Sequence, residues 1–135
     1  MTNLQSLEFF IPELILTITI LAALITDLFV KKSKTNMIGW VLGIGLVVVG
    51  LSVYNLSSVP PTTLFSDMIV LDPFSSFMKI VITISTLLVI VASWVNDELE
   101  KYRKGEYFTI MGIMVMGLFL MTSSVDIIML YISIE

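Results

Sequence analysis

The chain has no cysteine and no histidine among its 135 residues. Without thiols it can form no disulfide and cannot hold an iron–sulfur cluster through thiolates. Without imidazole it lacks the commonest metal ligand and the usual switch near neutral pH. Charge is scarce as well. Asp, Glu, Lys and Arg make up 13 % of the residues, about half the share found in ordinary soluble domains. No cluster of Lys and Arg suggests a face for nucleic acid, so no nucleic-acid partner is expected. Apolar residues are what is abundant. They reach 57 %, and the mean hydropathy is +1.03. Such a composition cannot supply the polar exterior that a soluble domain of this size needs, and it indicates an integral membrane protein.

A membrane-crossing helix needs about 20 apolar residues to traverse a hydrocarbon core of roughly 30 Å. Four runs meet or approach that length: residues 11–30, 37–54, 74–95 and 107–122. A fifth begins near Asp126 and reaches Glu135, where the sequence ends inside it. Pro12 suits the first turn of the first run, because its missing N–H would be unpaired there anyway. Asp72 followed by Pro73 reads as the start of the third. The runs are apolar all round with no sustained amphipathic period, which calls for lipid or other helices on every side. They are also far longer than strands, and turn signals fall only between them. The expected fold is all-α, a single polytopic transmembrane bundle of four helices and the first half of a fifth. Residues 55–73, with Pro60-Pro61-Thr62-Thr63, read as an exposed turn. No repeat or domain boundary is visible.

Basic residues set the orientation. Six of the seven lie between the first and second runs (Lys31, Lys32, Lys34) or between the third and fourth (Lys101, Arg103, Lys104). The loops 31–36 and 96–106 are therefore expected in the cytoplasm, with the N-terminus outside. The residues before Pro12 carry no Lys or Arg, unlike a secretory signal, so the first run reads as a retained helix.

Ionisable residues within a span are functional candidates by default, and depth sorts them. Glu13 falls in a first helical turn, where the dipole and headgroup water favour a carboxylate. Asp27 precedes Lys31 by four residues, a favourable helix-end pair. Both read as structural end charges. Lys79 lies ~10 Å past the Asp72 cap along the axis. Two readings stay open for it: snorkelling to the outer surface, or an ion pair with a carboxylate on a neighbouring helix. Glu135 is the deepest, ~14 Å along its helix from Asp126 and near mid-membrane. A carboxyl group there, able to lose and regain a proton, has the profile of a proton relay. A terminal charge at that depth would be very costly, so the coding sequence is expected to continue, or the chain to be a truncated product. Gly39 and Gly43, with Gly45 and Gly50 beyond, have the spacing of close helix packing. They are no dinucleotide fingerprint, since Val48 stands where the last glycine would be. The nine methionines read as lipid-facing or core filler.

Three segments together resemble one family, the N subunit of bacterial NADH:quinone oxidoreductase (respiratory complex I). They are Ile11-Pro12-Glu13-Leu14 through Thr26-Asp27-Leu28-Phe29, then Leu71-Asp72-Pro73-Phe74 to Lys79, and finally Gly105-Glu106-Tyr107-Phe108 leading to Met121 through Asp126 and Leu130 to Glu135. The last resembles the family's Gly-Glu-Tyr-Tyr, Ser-Asn-Asp and Leu-Gly-Leu-Glu pattern, with departures at Val125 and Ser133. The resemblance covers the whole chain but only the opening part of the family's length. It implies an antiporter-like, proton-translocating subunit of the cell inner membrane that packs against other membrane subunits of the complex. It implies that Glu135 pairs with a lysine on a later helix and relays protons. It also implies that NADH and quinone are used by the whole complex, with no cofactor in this chain. Two rivals remain: a subunit of a multisubunit cation/proton antiporter without redox chemistry, and a short structural membrane protein.

Overall fold

The computed structural model describes residues 7–29, 36–65, 67–94 and 104–135. Four long helices dominate it: α1 (Ile11–Phe29), α2 (Asn36–Leu56), α3 (Pro73–Trp94) and α4 (Lys104–Ser123). A shorter α5 (Ile127–Ile134) follows, and a two-stranded hairpin of β1 (Thr62–Leu64) and β2 (Ile69–Leu71) lies between α2 and α3. All four long helices are long and apolar enough to cross a membrane. The expected boundaries shift at several ends. α2 runs to Leu56 and α4 begins at Lys104, because Asn55 and the Gly105-Glu106 pair continue the helical backbone where the apolar count had stopped.

The helices run up and down. α1 packs on α2, α2 on α3, α3 on α4 and α4 back on α1, while α2 and α4 also meet across the middle. α2 shows why lipid must surround the bundle. Ile38, Leu42, Leu46, Val49 and Val53, spaced by three and four residues, are its buried stripe. Its opposite side is just as apolar, with Trp40, Ile44, Val47, Leu51 and Tyr54 exposed. In water that face would be a severe liability; in hydrocarbon it is at home.

α3 departs from the expectation of helices that are apolar on all faces. Its buried residues are Ser75, Ser76, Lys79, Thr83, Thr86, Ile90 and Ser93, while Phe77, Val81, Ile84, Leu88 and Val91 face outward. The polar face turns inward because hydroxyls and an ammonium find partners in protein and none in lipid. The hydroxyls satisfy themselves within the helix: Thr83, Thr86 and Ser93 donate to the carbonyls of Lys79, Ile82 and Val89 at 2.7–2.8 Å.

Residues 55–73 are more than an exposed turn. Leu64, Ile69 and Leu71 are buried, placed on one side of the hairpin by the two-residue period of strands. Phe65 and Asp67 hold its turn with positive φ, at 51° and 67°. The ring of Phe65 is set edge-on against Phe10, with centroids 5.4 Å apart. β2 bridges Ser124, and the Val125 N–H donates to the Met68 carbonyl at 3.0 Å. The hairpin thus closes the end of the bundle where α1, α3 and α5 start. Asp72 starts α3 as expected: its carboxylate accepts the Ser75 N–H at 2.7 Å, and its own N–H donates to Ser75 Oγ at 3.2 Å.

The glycines of α2 pack differently from the expected Gly39–Gly43 unit. Gly43 has open space where a Cβ would stand, whereas Gly39 abuts Trp94 and Phe108, and a Cβ on Gly45 would fall inside the Thr19 side chain. Gly45 therefore sets the α1–α2 approach. Thr19 is β-branched and stiff, so it has little room to yield. Gly45→Ala is expected to lower stability by about 1–3 kcal/mol, the usual cost of overpacking. Gly43→Ala should be neutral or stabilising, since alanine favours the helix. Unfolding of both variants in detergent micelles checks this, and equal effects at the two positions would refute it.

Candidate functional site

Two long side chains meet inside the hairpin end of the bundle. Lys79 Nζ lies 2.5 Å from Glu13 Oε1, and the two side chains are only 4 % and 2 % exposed. The local sequence puts them there. Pro12 and Glu13 belong to the first turn of α1, with the Leu14 N–H already bonded to the Phe10 carbonyl at 3.1 Å. Lys79 follows the start of α3 by six residues, or ~9 Å, and side chains lean toward a helix N-terminus. Both groups therefore reach the same level from different helices. Phe119 of α4, itself fully buried, presents its ring 5.8 Å from the ammonium, within cation–π range.

Of the two readings open for Lys79, the structure selects the ion pair, with α1 supplying the carboxylate. It also corrects the reading of Glu13 as an end charge in headgroup water, since Glu13 is buried and paired with Lys79. A signal for this was present in the sequence. Ser76, Lys79, Thr83 and Thr86 recur at three- and four-residue intervals, which marks α3 as polar on one face and places Lys79 on that face.

Glu135 stands at the end of α5, whose cap Asp126 accepts the Ile128 N–H at 3.4 Å. Its side chain is exposed, and Tyr131 donates to its Oε1 at 3.4 Å. It borders a cleft of about 480 Å³ between α4 and α5, with Ser133, Gly117 and Met121 among the lining. The structure does not bring Glu135 and Lys79 together: the bonded carboxylate partner of Lys79 is Glu13.

Asp27 was expected to pair with Lys31, which lies outside the described residues. What the structure shows is its carboxyl against Gly105, where a Cβ would collide with it. That places a negative charge beside the first turn of α4, the favourable end of the helix dipole. Trp40 stacks on Trp94 at the same end, with centroids 4.6 Å apart. Among the described residues, no group of acidic side chains is arranged to hold a metal ion.

The chain is 37 % identical over 132 residues to NADH-quinone oxidoreductase subunit N of Dehalococcoides mccartyi, and 36 % over 129 residues to subunit N 2 of Chloroherpeton thalassium. These alignments take in 96 % and 93 % of the chain. It belongs to the subunit N family. Subunit N of Chlorobium chlorochromatii adds a third relative, 30 % identical over 132 residues and 96 % of the chain. No family model matches. The chain spans about a quarter of the length of these subunit N relatives, 25–26 % of each.

A buried ion pair in a subunit N chain is poor evidence of a need for stability. Removing two ions from water costs several kcal/mol each, and apolar replacements of similar volume are often neutral. Breaking the pair is another matter, because it strands a charge. Lys79→Met alone is expected to destabilise by about 3–5 kcal/mol. Glu13→Gln in the same chain should recover most of that loss. A double-mutant cycle on unfolding in detergent measures the coupling. Additive single effects would show that the two groups do not interact.

Proposed function

We propose that this chain forms part of a proton-translocating membrane subunit of NADH:quinone oxidoreductase. In that reading, electron transfer from NADH to quinone elsewhere in the complex drives proton movement through the subunit. The observation that carries it is identity of 36–37 % to named N subunits along nearly the entire chain. Composition supports the division of labour. With no cysteine and no histidine, these 135 residues lack the usual ligands for iron–sulfur clusters and haem, so electrons would travel in other subunits. The partners would be the neighbouring membrane subunits, and α5, apolar and exposed on nearly every side, offers them surface.

Glu135 is the proposed proton relay. It lies eight residues into α5 from Ile127, ~12 Å from the hairpin end, and opens on a cleft that could admit water or a later helix. Replacing it with Gln removes the titratable group and keeps the shape. In the complete subunit, Glu135→Gln is therefore expected to impair proton pumping by the assembled complex. Reconstituted vesicles would report it, and an unchanged rate and proton-to-electron ratio would sink the relay role.

The proposed location is the cell inner membrane, with the hairpin end outside. The α1–α2 and α3–α4 junctions lie at one end of the bundle, as Gly39 against Trp94 and Asp27 against Gly105 require. Six basic residues flank those junctions in sequence, and they favour the cytoplasm. The cysteine-free background makes a direct test simple. A single cysteine replacing Ser58, before the hairpin, should react with an impermeant maleimide added to intact cells. One replacing Ser33 should react only after the membrane is opened. The reverse pattern would invert the topology.

A further inference from the structure

The ion pair does not stand alone at the hairpin end. Ser123 is 1 % exposed, and its Oγ has no hydrogen-bond partner among the described residues; Thr62 Oγ1 is likewise buried and unpartnered. Their position can be worked out from the chain. Ser123 follows Phe119 by four residues, on the same face of α4 and one turn further toward the hairpin. Phe119 contacts Lys79, so Ser123 lies just beyond the pair. Thr62 alternates with the buried Leu64 and so faces the bundle, and the neighbouring strand bridges Ser124. Ser76, one turn before Lys79 on α3, is buried at the same end. Buried hydroxyls that no protein group satisfies call for water, which needs a polar site with several partners.

From this arrangement we propose that Glu13, held in place by Lys79, is a second proton-exchanging carboxylate, lying between the level of Glu135 and the hairpin face and releasing protons past Ser123 and Thr62. The inference rests on the subunit N reading given above. The stoichiometry is simple. A hydronium ion gives a proton to a carboxylate oxygen of Glu13 and becomes water, while Lys79 keeps its ammonium. The new O–H bond then breaks, giving the proton to water beside the two hydroxyls. One proton enters, one leaves, and no electron moves.

The rival is a clamp whose only task is to fasten α1 to α3. Hydroxyls back-bonded along α3 fit a clamp equally well, since small polar residues allow close helix packing. The unpartnered Ser123 and Thr62 do not, because a packing device has no use for buried polar atoms without partners. Lys79 is a positioning residue in this scheme. Its ammonium holds the Glu13 carboxylate in place and is not itself consumed.

The test uses the complete assembled complex in vesicles. Glu13→Gln with Lys79→Met removes both charges and strands neither, so electron transfer from NADH to quinone should persist under uncoupled conditions while proton pumping is lost. Lys79→Arg keeps a permanent cation at the site, and should restore the pumping that Lys79→Met removes. Pumping at the unaltered proton-to-electron ratio in the double variant would overturn the proposal and leave the clamp. Should the double variant fail to assemble, the unmodified complex decides. Dicyclohexylcarbodiimide attacks protonated buried carboxyls, and mass spectrometry should find Glu13 modified during NADH turnover. Absence of label on Glu13 under turnover would overturn the proposal. Glu135→Gln runs in parallel: normal pumping there undermines the subunit N relay as a whole, whereas lost pumping there beside normal pumping in the double variant defeats this inference alone.

Discussion

Hydrocarbon offers no hydrogen bonds, and each polar atom left unpaired in it costs several kcal/mol. The arrangement of this bundle follows from that constraint. α2 can bury an aliphatic stripe and expose an equally aliphatic face, because both surroundings are apolar. α3 has no such freedom. Lys79 and all of its serines and threonines but Ser85 turn inward, and most of the apolar residues between them are left to face lipid. The inversion then sets the partners. A lysine forced inside needs a carboxylate, and Glu13 at the start of α1 supplies one.

The pair and the hairpin share one end of the bundle. Glu13 lies in the first turn of its helix, where a carboxylate would ordinarily meet headgroup water. Glu13 is nonetheless only 2 % exposed, and Leu64, Ile69 and Leu71 of the hairpin are buried at the same end of the bundle. The hairpin is fixed at two places by different means: Phe65 rests on Phe10 before α1, and β2 joins the turn between α4 and α5. A two-stranded hairpin has little stability by itself. Here its buried residues and these two attachments hold it, so the hairpin and the pair depend on the same bundle end.

Much of this was legible in the residues. Run lengths gave the four long helices, and Asp72-Pro73 marked the start of α3 through the expected carboxylate cap. The Ile11-Pro12-Glu13-Leu14 opening and the Gly105-Glu106-Tyr107 segment carry the resemblance to the N subunits in the residues themselves. The hairpin escaped notice because strands of three residues fall below the reach of a period-two pattern, and Pro60-Pro61 suggested an open turn. Glu13 was misjudged for a physical reason. Depth counted along one helix says nothing about what another segment lays over its end. Gly43 was misjudged similarly, since spacing identifies a helix face but not which neighbour occupies it.

α4 relates the two carboxylates to one another. Phe119 directs its ring to Lys79, while Gly117, two residues earlier, lets α5 come so close that a Cβ would stand 2.8 Å from the Ser133 carbonyl. Residues two apart lie on nearly opposite sides of a helix. Glu13 and Glu135 are therefore served by opposite faces of one helix, with its backbone as the partition between them. A straight line between them crosses backbone amides engaged in the helix, which carry no titratable group. Charges separated by protein and lipid are screened far less than charges in water. α4 is the element that packs against both sites, with Phe119 toward Lys79 on one side and Gly117 toward Ser133 on the other.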